Sequence, residues 1–266
     1  MMDWLSVNPG EAPIIVSVPH AGTDVPEDLH VSLLSLELAR HDADFFVDQL
    51  YEFAAELGAT IVRTAISRTV IDVNRDPSGQ SLYPGQATTG LCPETSFEGT
   101  SLYKPGMEPD DAEVARRRAC FFDPFHEALS AQISRLRRRH SRIVLYDAHS
   151  ILSQVPRLFE GELPQFNIGS FDGRSCAPSL TEGVAAACSG YATAVNGRFK
   201  GGWITRHYGD PENGVHAIQM ELAMRGYLDE TGPWPPVWDK ARAERLQPVL
   251  RDVLSACLAF AKGAAQ

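Results

Sequence analysis

The sequence of 266 residues contains no apolar run close to the roughly 18 residues that a membrane-spanning helix needs. Its first residues lack the basic and apolar regions of a signal peptide, so we expect a cytoplasmic protein with no membrane partner. The five cysteines are irregularly spaced without a Cys-x-x-Cys pair, which indicates free thiols rather than disulfides or a cysteine zinc site. Repeats and an interdomain linker are also missing, so one domain over residues 1–266 is expected.

Basic charge is scarce as well. The net charge is -10 and the sequence pI is about 5.3. A nucleic-acid-binding protein is not expected, because a phosphate backbone requires a basic face. Hydrophobic residues make up 44% and charged residues 22% of the chain, which is typical of globular proteins with a sizeable core. No feature of the sequence indicates an oligomeric state.

Short apolar runs alternate with helical patterns along the chain. Strands are predicted at 13–19, 59–64, 69–76, 143–146, 165–173, 191–196 and 214–222. Helices are predicted at 35–57, 110–139, 177–189 and 241–262. This order predicts an α/β fold with helices on both faces of a sheet. Segments 77–109 and 197–213 are rich in glycine and polar residues and are predicted to be loops that close over a site.

Polar side chains capable of catalysis occur at the ends of several predicted strands. They are His20, Asn74 with Arg75, Asp147 with His149, and Glu221. Ligands bind beyond the carboxyl ends of the strands in open α/β sheets, so these side chains are expected to share one site. For any one of them, a structural role at a strand end is the alternative.

Two histidines and a carboxylate are the usual protein ligands of a catalytic zinc. His20 and His149 form the natural pair. The carboxylate candidates are Asp24, Asp42, Asp44 and Asp147. The compact His-Glu-x-x-His motif is absent, and His and carboxylate ligands also suit cobalt, manganese or iron. A divalent metal is therefore predicted, with zinc as the first choice.

A metal-activated water molecule requires a general base and a group that stabilises the oxyanion. Glu221 lies inside an apolar run, where burial would raise its pKa towards neutrality, so it is the predicted base. Arg68, Arg75 and Arg206 lie beside turns and suit bidentate binding of a small anionic substrate. Structural ion pairs are the alternative for Glu221 and for each arginine.

Five segments of the chain together resemble the N-formylglutamate amidohydrolase family. They are VPHAGT at 18–23, SRTVIDVNRDP at 67–77, YDAHS at 146–150, GGWITRHYG at 201–209 and GVHAIQMEL at 214–222. The resemblance spans about residues 13–228 in the order of the family. It implies hydrolysis of N-formyl-L-glutamate to formate and L-glutamate, the closing step of a bacterial histidine-degradation route. It also implies a three-layer αβα sandwich around a mixed sheet, similar to zinc carboxypeptidases and aspartoacylase.

The resemblance also implies roles for individual residues. His20 and His149 match the metal-binding histidines of the family, and Glu221 matches the general base of the carboxypeptidase-like fold. Asn74 and Arg75 are similar to an Asn-Arg pair that holds a substrate carboxylate in aspartoacylases. The remaining predicted substrate-binding residues are Arg68, Arg206, His207 and His216. Arg75 or Arg68 is expected to stabilise the oxyanion or hold a carboxylate, and Arg206 with His207 to hold another.

Two departures from the family pattern affect this prediction. The family segment Asp-Trp-His-Val-Asp corresponds to residues 44–48, where Phe46 replaces the histidine, which leaves the exact acyl-amino acid open. Position 23 is threonine, so the His-x-x-Glu ligand pair of carboxypeptidases is missing. Asp44 is therefore the first choice for the third metal ligand, followed by Asp24, and Asp147 is expected to orient an imidazole.

Three functions are compatible with these residues. The preferred one is a metal-dependent N-formylglutamate deformylase. The second is a hydrolase of another N-acyl amino acid or a carboxypeptidase. The third is a binding module for acidic amino acids without catalysis. Bound metal and its removal by a chelator distinguish the third from the first two.

Overall fold

A mixed sheet of seven strands forms the centre of the computed structural model, which describes residues 4–82 and 85–263. The strands are β1 (Leu5–Asn8), β2 (Ile14–Val18), β3 (Thr60–Thr64), β4 (Ile143–Ile151), β5 (Phe166–Gly169), β6 (Thr193–Val195) and β7 (Val215–Ala223). Their order across the sheet is β1-β3-β2-β4-β7-β5-β6. The central strands β3, β2, β4 and β7 run parallel, whereas β1 and β5 pair antiparallel with β3 and β7.

Three of the four central strands are buried over their whole length. Every residue of β2, β4 and β7 is buried, as expected for parallel strands covered by helices on both faces. The helices are α1 (Leu36–Arg40), α2 (Val47–Leu50), α3 (Asp111–Arg117), α4 (Asp123–Arg137), α5 (Pro178–Ala187), α6 (Trp203–Tyr208) and α7 (Lys240–Lys262). None of the helices in the described ranges is both long and apolar enough to cross a membrane.

Alternate residues of the central strands pack against different helices. Leu145 and Ala217 face a cluster that includes Phe125 of α4. Val144 and Ile218 face the opposite cluster, which includes residues of α5 and α7. Since successive side chains of a strand point to opposite faces, these two clusters form the two helix–sheet interfaces. The predicted three-layer α/β architecture with a mixed sheet is therefore confirmed.

The helix predicted over residues 35–57 is divided into three short elements. These are α1, α2 and a 3-10 helix, Glu52–Leu57, which ends at the left-handed Gly58. The chain leaves helical geometry between α1 and α2, where the Asp44 amide donates to the His20 carbonyl at 2.9 Å. Phe46 also adopts a left-handed conformation with φ 60°. Apolar spacing alone could not show this break, because the apolar residues on both sides of it are buried.

The strand predicted at 69–76 does not join the sheet. The chain there forms turns, with the Val70 amide bonded to Ser67 and the Arg75 amide bonded to Asp72. The apolar residues of the run are buried in this irregular segment, so burial rather than strand pairing explains the pattern.

The other predicted elements lie close to their expected positions. The helix predicted at 110–139 is continuous, but a π-helical segment, Arg118–Phe122, separates α3 from α4. Asp110 caps its amino end by accepting a hydrogen bond from the Glu113 amide. The predicted loop at 197–213 contains α6 in addition to irregular chain, whereas the described part of segment 77–109 has neither helix nor strand.

Candidate metal centre and active site

The carboxyl ends of β2, β4 and β7 bring the predicted catalytic residues together. His20 lies just after β2, and His149 lies near the end of β4. Glu221 of β7 is the register partner of His149. Because these strands are parallel neighbours, their ends lie at one edge of the sheet, and the rings of His20 and His149 are 4.9 Å apart.

His20, Asp44 and His149 form a buried cluster suitable for a metal ion. One ligand atom from each lies within 4.8 Å of the others. Asp44 Oδ2 is 3.1 Å from His149 Nδ1 and 3.9 Å from His20 Nδ1. Within the described ranges, His20 Nδ1 and Asp44 Oδ1 are buried without a hydrogen-bond partner. Since buried polar atoms are nearly always paired, and two imidazoles with a carboxylate suit zinc, these residues fit a divalent cation.

Carboxylates outside the cluster orient both imidazoles. His20 Nε2 donates to Asp72 Oδ1 at 2.7 Å, and His149 Nε2 donates to Asp147 Oδ2 at 2.9 Å. These bonds place Nε2 of each ring against a carboxylate and turn Nδ1 towards the cluster, so that with the proton on Nε2 the Nδ1 lone pair would be available to a metal ion. The Asn74 side chain donates to the same Asp147 oxygen at 3.1 Å.

Asp72 links the cluster to two arginines. It accepts a hydrogen bond from Arg68 at 2.6 Å and lies 3.5 Å from the Arg75 guanidinium. Burial opposes its ionisation, but Arg68, Arg75 and His20 together hold the pKa of Asp72 well below its usual range. Asp72 was missing from the sequence-predicted site. It could have been recognised as an acidic residue inside the apolar run 70–73, which is the same pattern that predicted Glu221.

The two histidines have opposite electrostatic environments. Burial, together with the nearby Arg68, lowers the pKa of His20, so its imidazole is neutral and suited to metal binding. Burial also disfavours charge on His149, but Asp147 and Asp44 raise its pKa well above the usual value. The carboxylates around His149 therefore favour positive charge at the centre of the cluster.

Glu221 has the environment of an acid–base catalyst. Burial raises its pKa to about 8, with Asp44 and Asp147 adding to the effect and His149 and Arg68 opposing it. Gln219 donates to its Oε2 at 3.2 Å. A carboxyl group whose pKa is near neutrality can accept and return a proton at physiological pH.

A cleft opens beside this cluster. The charged or polar residues that line it are His20, Arg68, Asn74, Arg75, Thr88, Thr89, His149, Ser150, Arg198, Gln219 and Glu221. Phe97, Ile151, Leu158 and Phe199 supply its apolar wall. The combination of three guanidinium groups with apolar surface suits a small anionic molecule.

The other predicted substrate-binding residues lie outside this cleft. Arg206 donates to the carbonyls of Gly201 and Leu82, and His207 is exposed and stacked on Trp203. His216 lies at the opposite end of β7, where its Nδ1 accepts a hydrogen bond from the Ala177 amide. These residues lie in segments that resemble the family, and that resemblance does not indicate which way their side chains point.

The alternative metal ligands also lie in other environments. Asp24 is exposed and forms an isolated bridge with Ile66. Asp42 accepts a hydrogen bond from the Phe97 amide at 2.6 Å. Asp147 contacts His149 from outside the cluster. Among the four candidate carboxylates, the structure brings only Asp44 into the described His–Asp–His group.

A buried His–Asp–His cluster beside a carboxyl group with a raised pKa, at the carboxyl edge of an α/β sheet, is typical of metal-dependent hydrolases. A model of the N-formylglutamate amidohydrolase family matches residues 12–228. The chain therefore belongs to the N-formylglutamate amidohydrolase family, which confirms the resemblance found in the sequence.

Individual relatives agree with this membership. The N-formylglutamate deformylase of Pseudomonas putida is 44% identical over 96% of both chains. That of Pseudomonas aeruginosa is 43% identical over 98% of both chains. The crystal structure of N-formylglutamate amidohydrolase from Ralstonia eutropha JMP134 has a TM-score of 0.79, with 24% identity and 98% of each chain covered. The gene product Atu2144 from Agrobacterium tumefaciens has a TM-score of 0.73 at 19% identity, over 97% of this chain and 96% of that one. The two structures share the fold of this chain.

Proposed function

We propose that the protein is a metal-dependent N-formylglutamate deformylase, which hydrolyses N-formyl-L-glutamate to formate and L-glutamate. The observation that carries the proposal is the meeting of His20, Asp44, His149 and Glu221 beside one arginine-lined cleft. The names of the relatives support the choice of substrate. In the cell, we place this reaction in the cytoplasm, as the closing step of histidine degradation.

His20 Nδ1, His149 Nδ1 and Asp44 would hold the metal, with zinc as the first choice. When bound there, a divalent metal supplies a Lewis acid that polarises the formyl carbonyl and lowers the pKa of water. Asp72 and Asp147 keep the two imidazoles in the tautomer that metal binding requires.

Glu221 transfers the proton in this mechanism. It accepts a proton from the water molecule whose oxygen bonds to the formyl carbon, and it then donates that proton to the departing amine nitrogen. The C–N bond breaks in this second step, which releases formate and L-glutamate. The pKa of Glu221 would fall below 8 beside a bound cation, because positive charge stabilises its carboxylate.

Arg68 and Arg75 each bind a different negatively charged group during the reaction. Arg68 is 3.5 Å from Asp44 and lines the cleft, which suits it to stabilise the developing oxyanion. Arg75 also lines the cleft, fixed by hydrogen bonds to the main chain and side chain of Thr89, and it holds the α-carboxylate of the substrate. Asn74, whose amide is bonded to Asp147 and Ile204, positions the site.

The test is hydrolysis of a substrate panel by the purified protein with its metal content measured. We expect N-formyl-L-glutamate to be cleaved with a higher kcat/KM than N-acetyl-L-glutamate, N-formyl-L-aspartate or a peptide ending in glutamate. A chelator should abolish activity, and zinc should restore it. A preference for another member of the panel would contradict the substrate, and full activity without metal would contradict the proposed centre.

A further inference from the structure

The proposed substrate carries two carboxylates, and the cleft contains a cation suited to the second. We infer that Arg198 selects the glutamate side chain by pairing with the γ-carboxylate of the substrate. This inference rests on the proposed function. It gives Arg198 the role that the sequence suggested for Arg206.

Arg198 is held at the wall of the cleft by its backbone partners. Its Nε donates to the Leu158 carbonyl at 2.7 Å, and one terminal nitrogen donates to the Ala87 carbonyl at 3.0 Å. Leu158 and Ala87 themselves line the cleft. These bonds fix the guanidinium in place, and a guanidinium is always charged in proteins. A cation that is positioned in advance loses little entropy on binding a carboxylate.

The three cleft arginines differ in how directly they contact the His20–Asp44–His149 cluster. Arg68 lies 3.5 Å from Asp44 of the cluster and 2.6 Å from Asp72, which holds His20 from outside it. Arg75 is one step further away, at 3.5 Å from Asp72. Arg198 is instead bonded to the Leu158 and Ala87 carbonyls of the cleft wall. In their described contacts, the arginines thus form a series of decreasing connection to the centre.

The two carboxylates of N-formylglutamate form a similar series. The α-carboxylate is attached to the carbon that bears the reacting nitrogen, so it must stay close to the centre. Two methylene groups separate the γ-carboxylate from that same carbon. The α-carboxylate therefore matches Arg75, and the γ-carboxylate matches Arg198. The neighbouring Phe199 ring, also in the cleft wall, supplies an apolar surface for the methylene groups.

Arg206 provides a matched control from the same segment. Like Arg198, it donates to two main-chain carbonyls, those of Gly201 and Leu82. Its guanidinium packs over the Phe171 ring at 4.6 Å, and it does not line the described cleft. Substitution of either arginine removes one charge and the same kind of backbone bonds, but only Arg198 is expected to affect discrimination between substrates.

The experiment compares Arg198→Gln with wild type on N-formyl-L-glutamate and on its neutral isostere, N-formyl-L-glutamine. We expect kcat/KM for the glutamate substrate to fall roughly 10- to 100-fold, mainly through KM, because a charged hydrogen-bonded pair is lost. The value for the glutamine substrate should change less than about 3-fold, since it lacks that charge. Arg198→Lys should recover part of the preference, because it restores the charge without the bidentate geometry.

Several outcomes would overturn the inference. Parallel losses for both substrates would show that Arg198 only supports the cleft wall, and metal content with thermal unfolding would reveal a general structural defect. Arg206→Gln should leave the ratio of the two substrates at its wild-type value; a collapse of the ratio there would assign the role to Arg206. Failure of the wild-type enzyme to cleave N-formyl-L-glutamate would instead contradict the proposed function, so the two failures are distinguishable.

Discussion

Strand β7 carries a buried titratable residue at each end, and the pKa values of the two residues shift in different surroundings. His216 near its start and Glu221 near its end are 5% and 7% exposed. Burial, Arg142 and Arg137 lower the pKa of His216 to about 4, so this imidazole is neutral at physiological pH. Burial raises the pKa of Glu221 to about 8, which suits it to carry a proton in the proposed reaction.

The surroundings, rather than burial, make one end a site. His216 packs edge-on against Phe260 of α7 and accepts a hydrogen bond from a main-chain amide. Glu221 faces the edge of the sheet where two irregular segments, residues 41–46 and 65–77, bring in Asp44 and Arg68. The five-residue separation is odd, so the two side chains also point to opposite faces of the sheet. Convergence of loops at a strand end distinguishes a site from a well-paired core residue.

The largest effect is expected from Glu221→Gln. This change keeps the size of the side chain and removes its proton transfer, so kcat should fall by about 10²- to 10⁴-fold. Metal content, measured by elemental analysis, should stay at the wild-type value. The companion variant His216→Gln should keep kcat within about 2-fold, because it lies outside the cleft. Near-normal turnover by Glu221→Gln would contradict its role in proton transfer, and with it the functional contrast between Glu221 and His216.

A smaller effect is expected from Asp72→Asn, which weakens the orientation of His20. Loss of a carboxylate behind a metal-binding imidazole typically reduces metal affinity by about 10- to 100-fold. The Kd for zinc, measured by competition with a chelating dye, should rise by that factor. Asp76→Asn is the control, since it makes the same charge change in the same segment and accepts a bond only from the nearby Ser78 amide among the contacts described. An unchanged Kd in Asp72→Asn would contradict the positioning role.

The smallest effect is expected from His216→Gln, at the other end of β7, on the pH dependence of the unfolding free energy. The folded pKa of His216, about 4, lies below its ordinary value of 6.5, so the unfolded chain binds more protons between these values. The contribution of this group to stability is fully present above pH 6.5 and is lost as the pH falls towards 4. His216→Gln should therefore reduce the acid-induced loss of unfolding free energy by roughly 1–3 kcal/mol.

Urea unfolding of wild type and His216→Gln at pH 7 and pH 4.5 measures this difference. The comparison between the two proteins cancels the titration of all other groups to a first approximation. Equal pH dependence in both proteins would mean that His216 carries its proton in the folded state, and the contrast with Glu221 would then be wrong.

The sequence predicted more of the strands than of the segments between them. The runs at 13–19, 143–146 and 214–222 correspond to β2, β4 and β7, because parallel central strands are apolar on both faces. The equally apolar run at 69–76 is irregular chain. Its residues are buried without strand pairing, and a short apolar pattern does not distinguish these two cases.

In the candidate site, too, residues at strand ends were more predictable than residues from other segments. His20, His149 and Glu221 could be identified from their positions at strand ends, and in the structure they lie close together at one edge of the sheet. Arg206, His207 and His216 are predicted from segments that resemble the family, and they lie outside the cleft. Asp72 and Arg198 were not chosen, because their contacts come from residues 52 and 111 positions away in the chain.

The family, the α/β class and the strand ends that carry the two histidines and Glu221 can all be inferred from the amino-acid sequence. Local apolar periodicity and short motifs are sufficient for these features, since they depend on neighbouring residues. Three-dimensional packing was needed to show that Asp44 lies beside the histidines, that Asp72 is bonded to His20 and that Arg198 lines the cleft. The physical reason is that each depends on where an irregular segment returns to the sheet, and that path is fixed by packing and buried hydrogen bonds between distant residues.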